Sequence, residues 1–77
     1  MKEFKITYFF DEIHYIRRFV HLNSFEEARQ LVQDERGGYV SFCDSRGIYH
    51  ELDTRNVRVV QISEYHRTDK DAEKKIE

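Results

Sequence analysis

Few residues of this chain could ligate a metal or drive a nucleophilic reaction: the four histidines, His14, His21, His50 and His66, and one cysteine, Cys43. Structural zinc sites draw such ligands from closely spaced pairs, and no CxxC, HxxxH or HExxH spacing occurs. His14 and His21 lie seven residues apart, so on one strand they point to opposite faces. A reactive Cys43 would need a basic neighbour to lower its pKa. Arg46, the nearest cation in sequence, belongs to a turn, which leaves Cys43 a passive strand thiol. Glu26 and Glu27 resemble a carboxylate pair, but adjacent helical positions point about 100° apart, and helix capping already explains them. Asp44-Ser45-Arg46-Gly47 resembles an anion-binding loop, yet no helix N-terminus follows it. The expectation is a chain with no catalytic centre, no metal site and no cofactor, hence not an enzyme.

Aromatic residues and cations remain. Lys5, His14, Arg17, Arg18 and His21 are interleaved with Phe9, Tyr15 and Phe19 near the start of the chain. Aromatics flanked by cations on a sheet are the chemistry that stacks and neutralises single-stranded nucleic acid. What this set can do depends on which face of which element each member occupies.

The clearest element is Ser24–Gly38. Ser24-Phe25-Glu26-Glu27 fits a capping box, with the Ser24 hydroxyl accepting from the Glu27 amide and the Glu27 carboxylate reaching back to the Ser24 amide. Glu26 and Glu27 also suit the positive end of the helix dipole, and Arg36 the negative end. Gly37-Gly38 supplies the left-handed stop. Phe25, Ala28, Leu31, Val32 and Glu35 follow the helical stripe, so one face seeks a cover.

The rest reads as strands. Phe4, Ile6, Tyr8 and Phe10 alternate with Lys5, Thr7 and Phe9. After Asp11-Glu12, His14–Leu22 is again rich in aromatic and β-branched residues, which predicts a hairpin. An even loop would put Tyr15, Arg17 and Phe19 on the face of Phe4 to Phe10. An odd loop puts Ile16, Val20 and Leu22 there, with Arg18. The odd register is preferred because it gathers the aliphatics and leaves Arg17 outside; His14 would then sit at the margin of the inner face. Tyr39–Cys43 and Ile48–Leu52 flank a loop in which Asp44 opens a type I turn and Gly47 takes the left-handed bulge position. That pairing aligns Val40, Phe42, Ile48, His50 and Leu52 on one face and Tyr39, Ser41, Cys43, Tyr49 and Glu51 on the other. Asp53–Asn56 makes a further turn. Val57–Tyr65 is a fifth strand whose apolar residues change face midway, through a bulge or burial on both sides.

The predicted fold is α+β in the order β-β-α-β-β-β: one antiparallel five-stranded sheet, able to curl toward a small barrel, with a single helix on one face. Residues 1–65 form the one domain, and 66–77 a charged, flexible C-terminal tail. Seventy-seven residues bury only about 60% of their unfolded surface. Charged residues make up 36% and the net charge is −2, so nothing in the whole-chain balance recruits nucleic acid or an anionic membrane. A lone cysteine and a polar start without an apolar signal region point to a reducing cytoplasm, and no run approaches a membrane span. In size, short turns and absence of signatures, the composition resembles small accessory proteins of bacteria and their phages.

A helix of about 12 residues is roughly 18 Å long and shelters one face of such a sheet, not both. The other face would collect Phe9, Tyr15, Phe19, Tyr39 and Tyr49, more rings than a solvated sheet face usually carries. With Arg17, these are the expected partner-binding residues. A protein partner or a second copy of the chain is the leading expectation, with pairing through a sheet edge or face; single-stranded nucleic acid on the first hairpin is the alternative, and a purely structural domain the third reading.

Overall fold

The computed structural model describes residues 1–66. Its elements are β1 (Lys2–Phe9), β2 (Tyr15–Leu22), α1 (Phe25–Asp34), β3 (Tyr39–Cys43), β4 (Tyr49–Asp53), a 3-10 turn at Thr54–Asn56, and β5 (Val59–Tyr65). Of the expected tail, all but His66 lies outside the described residues.

The α+β class and element order hold, but the single five-stranded sheet does not. The strands form a three-stranded sheet, β2-β1-β5, and a separate two-stranded sheet, β3-β4, all antiparallel. The division arises after β4. The Asp53 carboxylate accepts from the Arg55 amide and opens the 3-10 turn, and the Arg58 amide then donates to the Phe9 carbonyl at 2.8 Å. The chain is thereby delivered to β1, where Val60 pairs with Tyr8 and Ile62 with Ile6. Lying beside β1 extends its apolar row on the second flank, and pairing with β4 would not. The change of face expected in the fifth strand has the same origin: Val57 precedes the strand and packs on the core, Val60 and Ile62 face inward, and Val59 is half exposed on the outside.

The first hairpin takes the odd register, with Tyr8 opposite Ile16, Ile6 opposite Arg18 and Phe4 opposite Val20. Its turn is held by Asp11, which accepts from the amides of Ile13 (2.9 Å) and His14 (2.7 Å) and contacts His14 Nδ1 at 2.7 Å. The His14 ring contact first, and then the two amides, hold the Asp11 carboxyl at about 2 instead of 3.8. His14 is therefore an exposed part of this turn and not a margin of the inner face.

The Ser24 hydroxyl accepts from the Glu27 amide at 3.3 Å as the capping box predicts, but the Glu27 carboxylate reaches the Asn23 amide at 2.9 Å and not that of Ser24. The helix ends at Asp34, so Arg36 lies beyond its last turn, and Gly37 adopts φ +82°. Of the stripe, Ala28 and Val32 are buried, while Phe25 is half exposed and packs its ring 6.4 Å from Phe4.

The second hairpin follows its turn chemistry. Asp44 and Ile48 close the loop through an amide-to-carbonyl bond of 3.0 Å, and Gly47 has φ +83°. Val40 pairs with Leu52 and Phe42 with His50 on the inner face. Thr54 ties this hairpin to the helix end: its amide donates to the Gly38 carbonyl at 2.9 Å, and its hydroxyl accepts from the Gly38 amide at 3.1 Å and lies 2.7 Å from the Gly38 carbonyl.

The core forms where the inner faces of both sheets meet the helix, around Ile6, Tyr8, Val32, Val40 and Leu52. Arg18 enters it from β2. Its guanidinium donates to Glu35 at 2.8 Å and to the Tyr8 hydroxyl at 3.2 Å, and lies 5.5 Å above the Phe42 ring. Burial opposes the charge on Arg18, but the bonds to Glu35 and Tyr8 outweigh it and raise the pKa; burial likewise pushes the Tyr8 hydroxyl up. One side chain thus joins both sheets to the helix end, from the inner face on which the odd register places Arg18.

Candidate interaction surfaces

The strand period decides which expected partner-binding residues meet. Odd-numbered residues of β1 and β2 face away from the core, so Phe9 pairs with Tyr15 on the outer face, Thr7 with Arg17, and Lys5 with Phe19. β5 adds Val59, Gln61, Ser63 and Tyr65 to the same face. Phe9, Tyr15, Arg17 and Phe19 are therefore brought together. The Phe9 and Tyr15 rings lie 5.6 Å apart, and Phe19 meets Tyr65 edge-on at 5.0 Å. Arg17 sits 5.1 Å from the Tyr15 ring centre and donates to its hydroxyl at 3.2 Å.

Between the two ring pairs the floor is polar. Ligand pockets usually span about 300–1,000 Å³; the open hollow here measures about 610 Å³, lined by Lys5, Thr7, Tyr15, Arg17, Gln61 and Ser63 among others. Among the described residues no carboxylate lies within salt-bridge distance of Lys5 or Arg17. At one end of the face, His21 lies 3.8 Å from Glu3.

Tyr39 and Tyr49 belong elsewhere, on the outer face of the β3-β4 hairpin, opposite Asp53 and Cys43 respectively. They are 68% and 61% exposed, more than any ring of the first face. Arg55 stacks 5.7 Å from Tyr39 while binding Asp53 through two bonds of 2.9 Å, and Tyr49 donates to Glu51 at 3.3 Å. The Arg55 contacts hold the Asp53 carboxyl below its ordinary range. The single predicted surface is thus two: one with cations between its rings, the other with acidic neighbours.

The residues first considered for chemistry have structural surroundings. His50 stacks on Phe42 at 5.2 Å and bonds Asp44 at 2.8 Å through Nε2. That contact, with the amides of Ile48 and Arg46 and the Arg46 guanidinium, holds the Asp44 carboxyl far below the usual range. His66 lies 3.4 Å from Glu64. Cys43 is exposed on the opposite face of the hairpin from His50. No group of three His, Cys, Asp or Glu among the described residues is placed to hold a metal ion, and no described helix is long and apolar enough to cross a membrane.

Gln61, Ser63 and Tyr65 were missed as site residues. Period 2 along the fifth strand groups them with Val59, but only the pairing of β5 with β1 shows that this row joins the first hairpin's outer face. No protein-family model matches the chain, and neither the curated proteins nor the solved structures contain a match.

Proposed function

We propose that this protein is a small non-enzymatic protein-binding module that acts by association and self-associates through the outer face of its β3-β4 hairpin. The observation that carries this reading is the exposure of Tyr39 and Tyr49, at 68% and 61%, on a two-stranded sheet. Large rings are enriched in the buried centres of interfaces. A second copy placed there covers the rings by packing one hairpin face against the other.

Light scattering and sedimentation over a range reaching about 1 mM, the weak end of specific association, test this. The expected result is a concentration-dependent dimer that Tyr49→Glu converts to a monomer still folded by circular dichroism, while Tyr15→Glu leaves it dimeric. A monomer throughout that range, or a dimer indifferent to Tyr39→Glu and Tyr49→Glu together, overturns it.

A further inference from the structure

We propose that the outer face of the three-stranded sheet binds single-stranded nucleic acid, with bases stacking on its ring pairs and the intervening phosphates held by Lys5 and Arg17.

The argument starts from the order of side chains on that face. Tyr15 and Phe19 are four residues apart on β2, which at strand rise separates the two ring pairs by about 13 Å. They are too far apart to sandwich one planar group. They suit two bases of one strand that are not neighbours, and the backbone between them then crosses the polar floor. Arg17 and Lys5 stand there without a carboxylate partner among the described residues, on a chain whose acidic residues number 15 against 13 basic ones. Arg18, Arg46 and Arg55, by contrast, are each bound to an acid. Two uncompensated cations between stacking platforms match a phosphodiester in charge and position. Thr7, Gln61 and Ser63 are neutral hydrogen-bonding neighbours for sugar or base edges.

Arg17 is also prepared for this role. Its stacking on Tyr15 fixes the guanidinium at the rim of the ring while leaving charge toward solvent, so a base and a phosphate can be engaged side by side. A duplex is a poorer occupant, because its bases are already stacked and no helix or ribbon projects from this face to enter a groove. An acidic peptide would use the cations and not need the rings, which makes the rings the discriminating feature.

Fluorescence anisotropy with labelled oligothymidine and oligouridine, using the full chain, tests the proposal. The expected result is salt-dependent binding with a slope of log K against log salt of about −1.4, two phosphates at about 0.7 each for single strands. Arg17→Gln should bring the slope to about −0.7. Tyr15→Ala should weaken binding roughly tenfold, and Tyr15→Phe should retain most of it. Tyr15 and Arg17 are both exposed, so circular dichroism and the melting midpoint should stay unchanged. Tyr49→Glu, on the other sheet, should leave binding intact, which separates this surface from the self-association proposed above. No binding at low salt overturns the proposal. So does binding that survives both Tyr15→Ala and Arg17→Gln, and so does equal competition by polyglutamate with no effect of Tyr15→Ala, which would assign the face to acidic peptides.

Discussion

In the three-stranded sheet the middle strand is flanked on both sides, and Phe4, Ile6 and Tyr8 are at most 2% exposed. In the two-stranded sheet each strand has one ladder partner and contributes one buried residue, Val40 or Leu52. The first sheet is built around an interior strand, whereas the second is a cover laid on it. That difference explains why the outer faces diverge. A sheet whose inner face is secure can carry charge on its outer face, and Lys5 and Arg17 do so; the hairpin leaves its rings the most exposed of all.

Core truncation is the strongest way to break this comparison. Ile6→Ala removes a side chain packed from both flanks and should cost about 3–4 kcal/mol, while Leu52→Ala, in the cover, should cost about 2–3 kcal/mol. Urea unfolding at equal slope would measure both. Equal or reversed costs would mean that the hairpin is as integral as the central strand.

Next in size is the side chain that spans the two sheets. Arg18→Met keeps the stem but leaves Glu35 and the Tyr8 hydroxyl without their donor, at a cost of about 2–3 kcal/mol. Adding Glu35→Gln should recover part of that loss, since it removes the stranded carboxylate. Hydrogen exchange should show β3-β4 amides losing more protection than those of β1. Uniform loss across both sheets would make Arg18 an ordinary core contact and not a link between two units.

The elements and the turn between β3 and β4 were legible in the sequence because their causes are local. The Asp44 and Gly47 pairing, the Ser24 cap and the odd register of the first hairpin each follow from residues within one turn or one strand repeat. What sequence could not show depends on contacts between distant segments. Nothing near Val59 announces that it pairs with Phe9 and not with β4, so the 3+2 division of strands was hidden. The same non-local pairing split one expected aromatic surface into two. The odd register places Arg18 inside, but not what satisfies its charge there: its partner Glu35 lies 17 residues away and lines up only after the helix has packed.

Acid titration offers the smallest effect and the finest comparison, because each hairpin turn is held by one aspartate beside a histidine. Both carboxyls are depressed in the folded chain, Asp11 to about 2 and Asp44 further, in each case chiefly through the histidine contact. A carboxylate with a lowered folded pKa contributes stability that is complete above its unfolded value, near 4, and disappears as pH falls through the folded one. The Asp11 contribution should therefore shrink as pH falls from about 4 and be spent only below about 2. In chemical denaturation from pH 6 downward, wild type and Asp11→Asn should converge there, while Asp44→Asn should still be the less stable chain. Convergence of both variants at the same pH would show that the buttressed turn of the second hairpin is no tighter than the exposed turn of the first, and the cover would have lost its one advantage over the sheet it rests on.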